Sequence, residues 1–362
     1  MSKKLWATII ALLVVGALMA GCAPAASSTA PSTAPTAAAT TAASQAPAAN
    51  FVKAADIVPP KAQKLFALPV DQVSPKPIKI ACIMVQNNPF GLAVMKGSDF
   101  AKEVLKDRNC KVDWISVPDF DPKKFEDAIQ NCITAQYDAI CSFGLSEALQ
   151  PVFDRGVDAG ILMYAFNTEP GMKSKRQAFF GQDGFAGGQK MGQALIDAVG
   201  AQGGKYAIIT GSFNVLGHEL RRTGARDVLD KNAAFKLVGE FENQDKAEEA
   251  YNITQNLITK YPDLQAIYVT AGGPFGAAKA VKDANLTGKV KIICHDWMAE
   301  TVPYVRSGEI VACLDQDPFN QAFGPVVCAF NKLVANQDPP AAVNWYPGDI
   351  ATPANVAEKI PE

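Results

Sequence analysis

From Pro77 onward the chain alternates short apolar β-rich runs with helix-period segments, and this alternation restricts the fold more than any other feature. Ile78-Lys79-Ile80-Ala81-Cys82-Ile83-Met84-Val85 reads as a strand, the turn Asn87-Asn88-Pro89 ends it, and a helix is predicted over about 91–105. Residues 111–117 alternate polar and apolar side chains as a strand does. Asp121-Pro122 reads as an N-cap with proline at the first helical position, after which Phe125, Ile129, Cys132 and Ile133 recur at helical spacing. Further strands are predicted at 138–143, 161–166, 205–210, 235–241, 265–270, 289–294 and 309–314, separated by helices. About a dozen strands exceed one comfortable sheet, and roughly 290 globular residues exceed one core. The expected fold is therefore α/β, with two doubly wound parallel-sheet lobes.

The N-terminus restricts location. Lys3 and Lys4 precede a run over 5–20 that is apolar apart from Thr8, too short for a comfortable membrane span. Leu18-Met19-Ala20-Gly21-Cys22 closes it and resembles a bacterial lipobox, with Met19 where leucine is usual. That resemblance implies cleavage after residue 21 and a lipid on Cys22. The following stretch, to about Asn50, is built from Ala, Thr, Ser and Pro without charge and reads as a disordered spacer. As a flexible coil of roughly 28 residues it would span about 30 Å. No later stretch reaches the roughly 18 apolar residues of a second span.

The formal charge is −2, or −4 once Lys3 and Lys4 are removed (−2 − 2), and charges of both signs are interspersed. Nothing suggests nucleic-acid binding. His218 and His295 are the only histidines and lie in no metal-ligand spacing, so neither a metal nor a cofactor is expected. With Cys22 assigned to the anchor, Cys82, Cys141, Cys294 and Cys313 fall inside predicted strands as small buried hydrophobes. Cys110 and Cys132 form the one plausible disulfide, and Cys328 is expected free and packed.

In open α/β sheets ligands bind beyond the carboxyl ends of strands. Those ends carry Asn87-Asn88-Pro89-Phe90, Ser142, Asn167-Thr168, Gly211-Ser212-Phe213-Asn214, Thr270-Ala271-Gly272-Gly273, His295-Asp296-Trp297 and Asp315-Gln316-Asp317-Pro318. Amides, hydroxyls, a carboxylate and aromatic rings recur without a nucleophile–base pairing. Such groups pair with vicinal hydroxyls and cover the C–H face of a polyhydroxylated molecule.

At this point the residues resemble the sugar-binding, ribose-binding-like branch of type I periplasmic solute-binding proteins of bacterial ABC importers, over about residues 77–345. Asn88-Pro89-Phe90 matches the family's N-P-F turn, Arg221-Arg222-Thr223-Gly224 its R-x-x-G, and Thr254-Gln255-Asn256-Leu257 a helix-to-strand segment. Asp296 falls at the family's ligand aspartate and Gln316 at its hinge glutamine. The resemblance implies ligand contacts from Asn88, Phe90, Ser142, Asn167, Arg221, Thr270, Asp296 and Gln316. Departures include Asn167-Thr168 for an Asp-Arg pair, Thr270 and Ser142 for asparagines, and Gly91 for a second aromatic. Ribose is thus not assumed. Each residue has a plainer role available: a cap for Asn88 or Asp296, core packing for Phe90, and pairing with Glu219 or Asp227 for Arg221. Trp297 suits a ligand platform or packing, and His295 suits strand-end packing.

The expected organisation is a signal at 1–21, a lipidated linker at 22–76, one lobe from 77–181 plus 317–345, and a second from 182–316 plus 346–362. The lobes would hinge at three crossings near 182, 316 and 346. The function implied is a monomeric, lipid-anchored extracytoplasmic receptor that passes a sugar or polyol to an ABC permease. A sensory receptor for the same ligands is the alternative. An exported NAD-dependent oxidoreductase is a remoter one, resting on Ala271-Gly272-Gly273-Pro274-Phe275-Gly276, a degenerate dinucleotide fingerprint whose first glycine is Ala271. A nucleotide hydrolase is remoter still, because Gly211-x5-Gly217-His218 lacks the Lys-Ser/Thr of a phosphate loop. A helix-turn-helix preceding residue 77, as a sugar-responsive repressor of this fold would need, is not found.

Overall fold

A computed structural model describes residues 50–60, 64–86, 89–171 and 173–360. The lipobox, Cys22, most of the spacer and Asn88 lie outside the described residues.

The first sheet begins with β1 (Ile78–Val85), where only Lys79 escapes full burial. A strand covered on both faces reads as one continuous apolar run, which is why this segment was legible. After α1 (Pro89–Leu105) come β2 (Cys110–Val117), α2 (Pro122–Thr134), β3 (Ala139–Phe143), α3 (Gln150–Asp158), β4 (Leu162–Phe166) and β5 (Ala178–Gly181). The Asp121 carboxylate accepts from Lys123 N–H at 2.8 Å, the predicted cap of α2.

The second sheet follows through α4 (Gly184–Val199), β6 (Gly204–Thr210), α5 (Leu216–Leu229), β7 (Phe235–Glu242), α6 (Ala247–Lys260), β8 (Leu264–Val269), α7 (Pro274–Asp283), β9 (Lys291–His295), α8 (Val302–Ser307) and β10 (Ile310–Leu314). The chain then returns to the first lobe as α9 (Pro318–Ala335) and β11 (Val343–Trp345), and crosses again to β12 (Ile350–Ala351) and α10 (Val356–Lys359).

Strand orders are β11-β5-β4-β3-β1-β2 and β12-β10-β9-β8-β6-β7. The β10–β12 pair is antiparallel and every other pair is parallel. The two sheets repeat one winding, so each reverses its order once, between β1 and β3 and between β6 and β8. Those reversals open crevices at the carboxyl ends, where ligands bind in this architecture.

Three crossings join the lobes, and they touch. Tyr346 N–H donates to Gly181 O (2.8 Å), Gln182 Nε2 to Asp315 O (2.8 Å), and Asp315 N–H to Asp349 O (2.9 Å). A Cβ at Gly348 would lie 2.1 Å from Gln182 Nε2 and 2.4 Å from Asp315 O, so only glycine lets the third crossing pass this close.

The segment before β1, assigned to the linker on sequence grounds, packs on the first lobe instead. Phe66 N–H and Val70 N–H donate to the side-chain oxygens of Asn320 (2.9 Å) and Asn331 (2.8 Å) on α9. The amide groups of the same asparagines donate back to Lys64 O and Leu68 O, both within 2.9 Å. Phe66 meets Phe180 and Tyr346 edge-on. Arg108, 1% exposed, donates to Val52 O (2.7 Å), Val70 O (3.3 Å) and Val104 O (2.9 Å) and lies over the Phe51 ring. The low-complexity composition stops near Asn50, and apolar residues such as Leu65, Phe66 and Val70 then supply a buried face.

All seven described cysteines are free and buried, so the Cys110–Cys132 bond is not formed. Burial pushes both thiols up to about 12. Among the described residues no helix is long and apolar enough to cross a membrane, and no group of three or more His, Cys, Asp or Glu could hold a metal.

Candidate functional site

The strand ends of the two lobes enclose one small cavity. The first lobe contributes Met84, Phe90, Phe120, Phe143 and Asn167, and the second contributes His218, Arg221, Asp245, Gly272 and Asp296. Gln316 enters from the second crossing. The cavity measures about 20 Å³, room for roughly one water molecule.

Arg221 is set by helix packing. It lies in α5, 3% exposed, with its own carbonyl oxygen against α4 at Gly188, where a Cβ would approach to 2.2 Å. Gly224 repeats the approach against Phe185 O at 2.2 Å, which explains the glycine of the Arg-x-x-Gly pattern. Nη1 donates to Thr270 O (3.0 Å) and Nη2 to Gln316 Oε1 (2.6 Å). Its Nε is buried and has no partner among the described residues.

Gln316 is the hub. Its Oε1 also accepts from Asn167 Nδ2 (3.2 Å), and its Nε2 donates to Asp296 Oδ1. One amide therefore links the first lobe to both the arginine and the acid of the second. Asn167 further donates to Gln321 Oε1 (2.9 Å). Asn167 and Asp296 both have left-handed backbones, φ 62° and 78°, which turn these side chains off their strands. Burial raises the Asp296 carboxyl pKa, while Arg221 and Gln316 pull it down.

Asp245, missed on sequence grounds, lines the same cavity. Its Oδ1 accepts from Gly272 N–H at 2.9 Å. A Cβ at Gly211 would lie 2.1 Å from that oxygen, and one at Gly272 would lie 2.8 Å from Asp245 Cβ. These glycines, which resembled nucleotide-binding signatures, thus make room for a carboxylate. The loop is pinned by Asn243, which donates its N–H to Thr210 O and its Nδ2 to Gly272 O. Burial pushes Asp245 up to about 7, with Asp296 adding to the rise and the Gly272 N–H and Arg221 opposing it.

Phe120 and Phe143 were also missed, and they stack as a tilted pair with ring centres 5.9 Å apart. Phe120 meets the His218 ring edge-on. His218 Nδ1 accepts from Ser212 N–H (3.0 Å), and burial, helped by Arg221, lowers this histidine to about 3.

Of the predicted residues, Phe90, Asn167, Arg221, Asp296 and Gln316 line the cavity. Ser142 and Thr270 do not; Ser142 is fully buried and donates to Phe143 O, while Thr270 donates to Thr210 Oγ1 and lends its carbonyl to Arg221. Trp297 donates to Cys313 O at 2.8 Å and packs against the second-lobe core. His295 pairs with the Tyr268 hydroxyl at 2.8 Å, a packing position.

Two doubly wound lobes joined by three crossings, with a polar cleft at their strand ends, define the type I binding-protein architecture. The family pattern described as the periplasmic binding protein domain matches residues 83–337, and the chain belongs to that family. A D-allose-binding periplasmic protein of Escherichia coli (strain K12) is 33% identical over 143 residues, covering 39% of this chain and 46% of that protein. A D-ribose/D-allose-binding protein of Pseudomonas aeruginosa is 28% identical over 202 residues, covering 54% and 62% respectively. The chain thus spans roughly half to three-fifths of the length of these curated relatives. Among solved structures, a glucose-galactose binding protein from Geobacillus stearothermophilus superposes with TM-score 0.70 at 24% identity, over 79% of this chain and 100% of that one. A solute-binding protein from Actinobacillus succinogenes with bound D-allose superposes with TM-score 0.69 at 23% identity, over 78% and 100%. These superpositions describe the fold.

Proposed function

We propose that the chain is an extracytoplasmic sugar receptor that closes its lobes around a monosaccharide or polyol and passes it to an ABC-type importer. The observation that carries this reading is the Gln316 hub, which joins Asn167 of one lobe to Arg221 and Asp296 of the other beside aromatic rings. Carboxylate, guanidinium and amide groups offer paired hydrogen bonds to neighbouring hydroxyls, and Phe90, Phe120 and Phe143 supply an apolar lining for C–H faces. The names of the relatives, which bind allose and ribose, point to the same ligand class. A sugar needs far more than about 20 Å³, so entry requires the lobes to part and the hub to open. Ligand then favours closure by making contacts in the closed form that the open form lacks.

The remaining parts of the reading concern location. Cys22 would carry the lipid, and the residues after it would hold the receptor beside its permease. A thermal-shift screen of aldoses, ketoses and polyols tests the central point: at least one sugar should raise Tm by several degrees. Asp296→Ala should abolish that shift while the variant still unfolds cooperatively. A screen without any stabilising sugar, or an Asp296→Ala protein with wild-type affinity, would remove the reading.

A further inference from the structure

We propose that Asp245 is a second ligand-binding carboxylate, which makes this cleft select neutral sugars that offer hydrogen-bond donors to the second lobe and reject sugar acids. The inference deepens the sugar-receptor reading and rests on it. The charged groups lining the cavity are Asp245, Asp296 and Arg221, two acids against one base. A ligand carboxylate or phosphate would bring a third anion into a water-poor space with one guanidinium to answer it, whereas hydroxyl groups donate to carboxylates without that cost.

Three further observations show that the acid is built into the site. Gly211 and Gly272 leave it space that any side chain would fill. Gln244 and Asp245 are successive non-glycine residues with left-handed backbones, φ 53° and 56°, an arrangement that persists only where surrounding bonds enforce it. Those bonds come from Asn243 Nδ2 to Gly272 O (2.8 Å) and Gln244 N–H to Gly211 O (2.8 Å). Arg221, buried in the same cavity with its Nε lacking a partner among the described residues, marks the place as a site for an oxygen-bearing ligand.

The groups around Asp245 also give its capture of ligand a pH signature. Arg221 and His218 face it from α5 and Asp296 from the exit of β9, while the first lobe presents Phe120, Phe143 and uncharged Asn167. His218 is neutral at physiological pH, so its ring adds no charge. The carboxyl stands raised to about 7 mainly by burial. Hydroxyl groups donating to it would favour the ionised form and lower that value, so ligand binding would release a proton near neutrality. Affinity should therefore rise with pH up to about 7 and level above it.

Calorimetric titration of the full chain with aldopentoses, aldohexoses and their uronic acids, from pH 5.5 to 8, tests the proposal. The probe is the neutral aldose that binds wild type best. Its affinity should rise about tenfold across the range, and its uronic acid should bind about a hundredfold more weakly. Asp245→Asn keeps an oxygen facing Gly272 N–H; it should lose about thirtyfold in affinity and flatten the pH dependence. Asp245→Ala should be weaker still, with cooperative unfolding checked by circular dichroism. If Asp245→Asn binds within twofold of wild type at every pH while Asp296→Ala does not bind, Asp245 is a structural acid and the proposal fails. A uronic acid that binds as tightly as its aldose also overturns it. If no sugar binds wild type, the sugar-receptor reading fails first and takes this inference with it.

Discussion

Gln316 holds opposite demands in one side chain: its carbonyl oxygen accepts from Arg221 and Asn167 while its amide donates to Asp296. Glutamine alone among residues of that length can do both. Gln316→Glu would remove the donor and set a third acid beside Asp245 and Asp296, so sugar affinity should fall at least tenfold and recover partly at low pH. Calorimetry at pH 5.5 and 7.5 would show this, and unchanged affinity at both would discount the hub. Gln316, Arg221 and Asp296 were legible in the sequence because each sits at a strand exit or helix start inside a recognisable pattern. Asp245 was not. It leaves the edge strand β7 through Glu242-Asn243-Gln244-Asp245, which reads as an ordinary polar loop, and its left-handed backbone carries no glycine to announce it. Phe120 escaped for a similar reason: it follows β2 within Pro118-Asp119-Phe120-Asp121-Pro122, which reads as an ordinary turn leading into the cap of α2. The glycines at 211 and 272 were visible, yet the side chain they accommodate lies far away in sequence.

The contact between α4 and α5 shows how an element places a side chain. Glycines on both helices, Gly188 and Gly224, let each backbone reach the other's carbonyl, and this close approach fixes where Arg221 begins. Gly188→Ala would put a methyl group 2.2 Å from the Arg221 carbonyl oxygen, against backbone that cannot swing aside. We expect a loss of about 2 kcal/mol in urea unfolding and weaker sugar binding, because α5 must retreat and take the guanidinium with it. A variant with wild-type values on both counts would show that the helices have slack. The long helices were legible from their period, and the central strands from their continuous apolar runs. β5, β11 and β12 were not, since four, three and two residues are too few for any period to register. The packed segment from 64 to 74 was hidden differently: its order comes from Asn320 and Asn331 on α9, more than 250 residues later.

At the scale of the molecule, three crossings meet at Gly348, so bending one disturbs the others. Gly348→Ala would wedge the third crossing against Gln182 and the Asp315 carbonyl. Stability should drop by about 2 kcal/mol, and the compaction that sugar produces in small-angle scattering of the wild type should shrink. Full compaction in the variant would show that the crossings move independently. The paired-lobe plan was legible from strand count and alternation, whereas the contact between crossings depends on backbone proximity that no local pattern encodes. The packed segment before β1 carries a mechanical consequence. A pull applied ahead of Asn50 would reach the body through Phe66, Val70 and Arg108, and so load α9 and the Tyr346 crossing before it strained β1. Tension on that packed segment would thus be felt at the pivot rather than at the sheet.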